Sequence, residues 1–218
     1  MTDIKAVIFD VGGVLTTAPY DNFHVYEREN GLPENFLNHV CGFDPAGGAW
    51  ARFERSEITP EEFDAAFAED SLAHPMNTEK REVRGATLLS LMQVKIRPEM
   101  IAAVHACKAR FKVGCITNTT AVPVAKMGAG DEGAAEMFAA FDHVIESHKA
   151  GVRKPDPRIY EMMCEALGVA AAACVFLDDL GVNLKPAKAM GMRTIRVREP
   201  AAALDALSAV TGLSFTKA

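Results

Sequence analysis

Residues 5–16 (KAVIFDVGGVLT) constrain the fold of this chain more than any other stretch. Four apolar residues run directly into Asp10, and Gly12 and Gly13 follow closely. A short apolar run that ends in turn residues is typical of a strand buried on both faces, as in a parallel sheet. Open α/β sheets place their chemistry at the carboxyl ends of such strands, so Asp10 is a candidate reactive carboxylate. This segment by itself fits equally well a strand that ends at an ordinary polar turn.

Apolar runs alternate with helical patterns along the rest of the chain. Four further strands are predicted, at residues 112–118, 142–147, 174–179 and 194–197. Helices are predicted between them, beginning near Pro98, Pro157, Leu184 and Ala201. Asn183 is predicted to cap the helix from Leu184 to Met190, which would place Pro186 in its first turn. Strands that alternate with helices imply parallel pairing, so we expect a doubly wound parallel sheet of the α/β class.

Residues 17–91 carry no strand signal and predict several short helices inserted after the first strand. One helix start is clear, because Thr59 is a capping residue, Pro60 takes the first helical position and Glu62 the third. Phe63 and Phe67 then lie one turn apart on one face. Apolar stripes of this kind usually form a packed core, so the segment is predicted to be a helical bundle.

Composition narrows the classes of function. The 218 residues suffice for one domain with an insertion, and a net charge of −6 argues against nucleic acid or an anionic membrane as the main partner. The five cysteines form no close pair in the sequence, which favours reduced thiols in a cytoplasmic protein. We find neither a leader pattern nor a long apolar span, so a soluble protein without a membrane partner is expected. The sequence does not indicate an oligomeric state.

Polar residues follow the predicted strands where the strands end. Asp10, Thr117-Asn118 and Asp178-Asp179 would meet at one edge of a parallel sheet, with Lys154 in a nearby loop. Converging carboxylates repel one another, and Mg²⁺ would relieve that repulsion through oxygen ligands. A lysine, a hydroxyl and free backbone N–H groups suit a phosphate. An aspartate held in line could attack phosphorus and form an acyl-phosphate.

Four motifs in this order resemble the haloacid dehalogenase-like (HAD) hydrolase superfamily along most of the chain. They are residues 9–16 (FDVGGVLT), 116–118 (ITN), 153–160 (RKPDPRIY) and 176–185 (FLDDLGVNLK). The third and fourth look most like those of the amino-terminal phosphatase domain of soluble epoxide hydrolase, and also like those of an acyl-CoA dehydrogenase family member. Four ordered motifs, each on its predicted element, are a specific signal.

The resemblance implies a Rossmann-like core, residues 1–16 and 92–218, and an inserted helical cap, residues 17–91. It implies a Mg²⁺-dependent phosphatase for a small phosphorylated metabolite. Asp10 would be both nucleophile and metal ligand, with the Gly12 carbonyl and Asp179 as further ligands. Thr117 and Asn118 would hold the phosphoryl group, and Lys154 would bridge that group and Asp10. Asp178 and Asn183 would support the metal site from behind, although both also suit turn or capping roles.

Gly12 departs from the family pattern, because related phosphatases carry an acid/base aspartate two residues after the nucleophile. Without it, general acid–base catalysis typically worth about 10²–10⁴-fold is lost. Three alternatives remain open: another group such as His148 substitutes, good leaving groups are hydrolysed slowly without an acid, or the chain only binds a phosphorylated ligand. A carbon–halogen hydrolase is a further hypothesis, because the dehalogenase branch also lacks this aspartate. That branch usually has an aromatic residue there and uses no metal, so Gly12 fits it poorly and Asp178-Asp179 fits a metal site better.

Overall fold

The protein is described by a computed structural model. It covers residues 3–18, 20, 22–120 and 136–215, together with the backbone of residues 126 and 127. The rest of the glycine- and alanine-rich stretch after residue 120 lies outside the described residues. No helix within the described part of the chain has the length and apolar character of a membrane-spanning segment.

Five parallel strands form the central sheet, in the order β5-β3-β1-β6-β7. The two remaining strands, β2 and β4, form a separate short parallel pair that the sequence analysis did not predict. The strand bounds are β1 Ala6–Phe9, β2 Gln93–Val94, β3 Lys112–Thr117, β4 Lys126–Met127, β5 His143–Glu146, β6 Cys174–Asp178 and β7 Arg193–Arg196. The doubly wound α/β class is therefore confirmed, and the strands of the main sheet lie within one residue of their predicted positions.

The central strand is buried on both faces, as its unbroken apolar run predicts. Val7 and Phe9 pack into the hydrophobic core on one face of the sheet, and Ala6 and Ile8 pack into the core on the other. Phe9 pairs with Cys115 on β3 and with Leu177 on β6. This register places Asp10, the residue after β1, level with Ile116 near the end of β3 and with Asp178 at the end of β6.

Helices cover both faces of the sheet and form the inserted segment. Their bounds are α1 Phe23–Glu29, α2 Phe36–Gly42, α3 Ala49–Glu54, α4 Pro60–Ala73, α5 Gly85–Leu91, α6 Pro98–Lys108, α7 Ser147–Ala150, α8 Pro157–Leu167, α9 Gly181–Ala189 and α10 Pro200–Thr211. The predicted cap of α4 is present, because Thr59 forms a capping box with Glu62. Helix α8 is also capped, because the Asp156 side chain accepts a hydrogen bond from the Arg158 N–H.

The predicted start of α9 is wrong. The helix begins at Gly181 rather than Leu184, so Asn183 lies inside it and does not cap it. Pro186 also lies deeper in the helix than its first turn. The Asn183 side chain instead donates hydrogen bonds to both carboxylate oxygens of Asp178, at 3.0 and 3.1 Å. A short polar side chain that finds a tertiary partner no longer serves the local backbone, and sequence pattern cannot distinguish these two uses.

The segment after β1 is helical, as predicted, and helices α1 to α5 build a hydrophobic core of their own. At its centre is an aromatic cluster consisting of Trp50, Phe53, Phe63 and Phe67. Phe53 and Phe63 stack with their ring centroids 4.3 Å apart, and Phe63 also contacts the other two rings. The division of the chain into a core at residues 1–16 and 92–218 and a cap at residues 17–91 stays a prediction.

Candidate active site

Asp10 occupies the end of the central strand, where its carboxylate is held from two sides. Oδ1 accepts a hydrogen bond from the Val11 backbone N–H at 2.7 Å and lies 2.8 Å from Nζ of Lys154. Among the described residues, none donates a hydrogen bond to the second carboxylate oxygen, Oδ2. The residue is only 7 % exposed, so the carboxylate is held in one orientation with one oxygen uncommitted.

The turn after Asp10 needs glycine at position 13. Gly13 has a φ of +73°, which disfavours any residue with a Cβ atom. A Cβ atom placed there would also fall 2.4 Å from Oδ2 of Asp179. The Gly13 carbonyl accepts a hydrogen bond of 2.7 Å from Nη1 of Arg97. Gly13 therefore allows the turn to approach Asp179 closely, and Arg97 secures the turn from the other side.

Lys154 joins the two strand ends. Its Nζ lies 2.8 Å from Asp10 and 2.8 Å from Oδ2 of Asp178, and the residue is 1 % exposed. Its backbone is fixed by Asn118: the Lys154 N–H donates to Oδ1 of Asn118 at 2.9 Å, and the Lys154 carbonyl accepts from Nδ2 at 3.1 Å. The ammonium group is therefore positioned through both its main chain and its side chain.

The adjacent residues Asp178 and Asp179 have different surroundings. Both oxygens of Asp178 are committed, because Oδ1 accepts from the Leu180 N–H at 2.8 Å and Oδ2 from Lys154, while Asn183 donates to both. Asp178 is fully buried, whereas Asp179 is partly exposed and faces the glycine turn. Asp178 thus holds the lysine, and Asp179 faces the open side of the site.

Electrostatics favour a cation among these groups. Asp10, Asp178 and Asp179 form an acidic cluster, in which one carboxylate oxygen of each residue lies within 4.8 Å of one oxygen of each of the others. Burial and the neighbouring carboxylates raise the pKa of Asp10 well above its ordinary value, despite the opposing effect of Lys154. Burial and Asp178 raise the pKa of Asp179 to about 6. Burial alone would lower the pKa of Lys154, but its contacts with Asp10 and Asp178 outweigh burial and raise it.

Two buried carboxylates therefore contact one ammonium group, and the third carboxylate, that of Asp179, lies beside them. Hard divalent cations such as Mg²⁺ are bound by carboxylate oxygens, so this donor set fits the metal that the sequence predicts. The close approach of the Gly13 turn to Asp179 also fits, because it leaves the backbone near the acidic cluster.

The other predicted site residues lie at or near this edge of the sheet. Thr117 ends β3 and is buried. Asn118 uses both ends of its side-chain amide on the Lys154 backbone, so its predicted contact with a phosphoryl group would have to come from its main chain. His148 lies on α7, where Nδ1 makes a 2.8 Å hydrogen bond with the Thr119 hydroxyl. Trp50, in the inserted segment, lies elsewhere: it is buried in the aromatic cluster.

Two features of the site were missed from the sequence. Arg97 supports the glycine turn, although in the sequence it marks only a helix start. Glu54 at the end of α3 forms a buried ion pair with Arg153, the residue before Lys154. Both contacts join residues that are far apart in the chain, and single charged residues leave no periodic signal of their partners. In the sequence, only their neighbours draw attention to the arginines of these two contacts: Pro98 follows Arg97, and Lys154 follows Arg153.

Comparison with known proteins identifies the class. The sequence model of the haloacid dehalogenase-like hydrolase family matches residues 4–191. The chain therefore belongs to this family of hydrolases. It is 34 % identical over 222 residues to bifunctional epoxide hydrolase 2 of Sus scrofa, an alignment that covers 97 % of this chain and 40 % of that protein. The chain thus spans about two fifths of the length of that relative.

A relative of similar length carries a more specific name. Phosphatase MT3486 of Mycobacterium tuberculosis is 29 % identical over 205 residues, covering 89 % of this chain and 87 % of that protein. Among solved structures, a HAD family enzyme of Bacteroides thetaiotaomicron, in complex with magnesium and inorganic phosphate, superposes with a TM-score of 0.62. It is 20 % identical, and the match covers 90 % of this chain and 96 % of that chain. This structural likeness supports the Rossmann-like fold.

Proposed function

We propose that the protein is a Mg²⁺-dependent phosphate-monoester hydrolase that works through an aspartyl-phosphate on Asp10. One observation carries the proposal: the Asp10 carboxylate lies 2.8 Å from a buried lysine, within an acidic cluster that suits a divalent cation. The phosphatase name of a full-length relative supports the same reaction class. The substrate would be a small phosphorylated metabolite, and the helical segment 17–91 would be the cap over it.

Asp10, Asp179 and the Gly12 carbonyl would hold the ion, with Asp178 and Asn183 behind them. A bound Mg²⁺ would neutralise the carboxylates and attract the phosphoryl oxygens. Lys154 would hold a phosphoryl oxygen beside Asp10, and Thr117 with the Asn118 main chain would hold the others. The free oxygen of Asp10 would then attack phosphorus, forming an acyl-phosphate as the ester oxygen leaves. Water would hydrolyse that intermediate and restore Asp10.

Gly12 limits this reaction. It has no side chain to protonate the leaving oxygen or to activate the water, so the leaving group must depart with little assistance. His148 is held by Thr119 and makes no described contact with the acidic cluster. A second candidate function follows from the same observation: a protein that binds a phosphorylated ligand without turning it over. A cytoplasmic location stays a prediction that rests on the cysteines, all five of which are free thiols.

The first test is turnover of p-nitrophenyl phosphate by the purified protein, with Mg²⁺ and with a chelator. We expect Mg²⁺-dependent release of phosphate that Asp10→Asn lowers by at least about 10⁴-fold, because an amide cannot replace the nucleophile. Asp44→Asn, an exposed turn residue, is the matched control and should leave the rate unchanged. Binding of phosphate esters without turnover would support the second candidate. Halide release from 2-haloacids that ignores the chelator would support a carbon–halogen hydrolase.

The missing acid can be tested by restoring it. Gly12 has a φ of −63° and a ψ of 128°, a conformation open to any L-residue. Gly12→Asp should raise kcat on an alkyl phosphate by about 10-fold or more, and should raise it less on p-nitrophenyl phosphate, whose leaving group needs no proton. Gly12→Asn supplies similar size without an acid and is the control. If both variants change the two rates equally, the absence of the acid does not limit this enzyme.

A further inference from the structure

The inserted helical segment and the sheet core share a buried ionic contact. Glu54, the last residue of α3, places Oε2 2.7 Å from Nε of Arg153. The two side chains are 5 % and 17 % exposed. The adjacent Arg55–Glu57 pair has nearly the same separation, 2.6 Å, but the Glu57 side chain is 47 % exposed. Two ion pairs at the end of the same helix therefore differ in burial, and they differ also in geometry, because Arg55 donates hydrogen bonds to both carboxylate oxygens of Glu57.

A second contact fixes the same helix end to the core. The Ser147 hydroxyl, which is fully buried, donates a 2.7 Å hydrogen bond to the Glu54 carbonyl. The hydroxyl oxygen of Ser147 also accepts a 2.9 Å hydrogen bond from the N–H of Thr119, a residue of the loop after β3. Glu54 is thus linked to both loops of the candidate phosphate site. Its carboxylate contacts Arg153 directly, and its carbonyl is linked to Thr119 through the Ser147 hydroxyl.

Arg153 connects Glu54 to the candidate active site through the polypeptide chain. It is the chain neighbour of Lys154, and consecutive Cα atoms lie about 3.8 Å apart, so displacement of one residue moves the other. The Lys154 main chain is bonded to Asn118, and its ammonium group joins Asp10 to Asp178. The guanidinium of Arg153 therefore anchors the loop immediately before the side chain that the proposed reaction needs in place.

Stability alone is a poor explanation for such a pair. Burying two charges removes both from water, and apolar replacements of similar volume are often as stable. The closest atoms, Oε2 of Glu54 and Nε of Arg153, also lack an aligned hydrogen bond despite their short separation. Burial raises the pKa of the Glu54 carboxyl, while the charges of Arg153 and Lys154 oppose that rise, so Glu54 senses the site's lysine as well as its own partner.

We propose that Glu54 and Arg153 are positioning residues that couple the end of α3 to the placement of Lys154. The inference rests on the proposed function, and it adds that the inserted segment helps to assemble the phosphate site as well as to cover it. Neither residue contacts the reacting atoms; both act through the loop that carries the lysine.

A double-mutant comparison separates positioning from structural support. Glu54→Gln keeps the size and the main-chain contact with Ser147, and Arg153→Met keeps the aliphatic stem. Each single variant leaves one buried charge unpaired, and the double variant leaves none. We expect each single variant to lower the melting temperature by several degrees and the double variant to recover most of that loss. The control is Glu57→Gln, which removes the half-exposed pair beside it.

The changes in kcat should not follow the changes in melting temperature. In p-nitrophenyl phosphate turnover with saturating Mg²⁺, both single variants and the double variant should lose about 10-fold or more in kcat, because a small misplacement of a catalytic group is costly. Glu57→Gln should keep the wild-type kcat. Recovery of both melting temperature and kcat in the double variant would overturn the proposal, because the pair would then serve stability alone. Folded single variants with unchanged kcat would overturn it as well.

Amide hydrogen exchange provides a measurement that does not depend on turnover. The Lys154 N–H is protected by Asn118, so its exchange reports the order of this loop. We expect Glu54→Gln and the double variant to speed exchange of a peptide that covers residues 151–156 by about 10-fold, with α10 unchanged. Faster exchange in a protein without phosphatase activity would support the coupling and reject the proposed function. Unchanged exchange would reject the coupling, whatever the activity.

Discussion

Two groups of buried side chains in this protein are held together in opposite ways. The aromatic cluster of the inserted segment consists of apolar rings that pack on one another, with Phe53 and Phe63 stacked at 4.3 Å. The acidic cluster at the sheet edge consists of carboxylates that repel one another and depend on Lys154. The first releases free energy as it forms, whereas the second stores unfavourable charge that a ligand can neutralise.

This difference shows where stability and function reside. Aromatic packing needs only shape and apolar surface, so many sequences could supply it. The acidic cluster needs particular atoms at particular places. Hydrogen bonds from Val11, Leu180 and Asn183 hold the carboxylates of Asp10 and Asp178, and Asn118 holds the Lys154 main chain. A residue of the aromatic cluster should therefore affect unfolding far more than chemistry, and a residue beside the acidic cluster should do the reverse.

The largest expected effect is on stability, in the aromatic cluster. Phe63 is fully buried and contacts three other rings, so Phe63→Ala should lower the free energy of unfolding by about 3–5 kcal/mol. The loss combines lost apolar burial with the cavity left behind. Urea unfolding measures it, and the exposed Glu69→Ala on the same helix is the control, expected within about 0.5 kcal/mol of wild type. The contrast between the two clusters would not hold if Phe63→Ala raised the activation free energy calculated from kcat by more than it lowered the free energy of unfolding.

The same contrast explains what could be predicted from the sequence. Continuous apolar runs located β1, β3 and β6, which are buried along almost their whole length. The edge strands β5 and β7 were also located, although they are only partly buried and their apolar pattern is shorter. Parallel pairing then brought Asp10, Lys154, Asp178 and Asp179 together, as expected from polar residues at strand ends. Their chemical roles stay predictions, since geometry alone does not show a reaction.

What could not be predicted depends on contacts between distant single residues. Asn183 was assigned to a helix cap, but its side chain binds Asp178, five positions earlier, and the helix begins at Gly181, three residues before the predicted start. Arg97 and Glu54 bind groups 84 and 99 positions away in the chain. A lone charged residue has the same local signature whether it is solvated or paired, so only the folded structure identifies its partner.

A smaller effect should appear at Arg97, which supports the glycine turn beside Asp179. Arg97→Met removes the 2.7 Å hydrogen bond to the Gly13 carbonyl, and it should weaken Mg²⁺ binding by about 10-fold, as loss of a group that orients a metal site does. Calorimetric titration with Mg²⁺ measures this change. Arg28→Met, on an exposed face of α1, should bind Mg²⁺ as the wild type does. Equal affinities for both variants would show that the turn holds its shape without Arg97.

The smallest expected effect on stability comes from the repulsion between carboxylates in the acidic cluster. The pKa shift behind it is upward, which is unusual for a carboxylate. Burial and Asp178 raise the pKa of Asp179 from 3.8 to about 6. The stabilising contribution of this raised pKa is complete below about pH 4, and it is lost as the pH rises through about 6. At pH 7.5 without metal, the ionised carboxylate therefore opposes folding, and Asp179→Asn should be more stable than the wild type by about 1–2 kcal/mol.

The higher stability of Asp179→Asn at pH 7.5 without metal should disappear under two conditions. Below about pH 5 the wild-type carboxyl is protonated, so the two proteins should unfold at similar temperatures. With Mg²⁺ at pH 7.5 the order should reverse, because only the wild type keeps the carboxylate that binds the ion, and binding stabilises the folded state by mass action. Thermal melts across pH, with Mg²⁺ and with chelator, measure both. If Asp179→Asn is less stable than the wild type at pH 7.5 without metal and also below pH 5, Asp179 acts as a structural residue like those of the aromatic cluster, and the acidic cluster stores no free energy for a ligand to release.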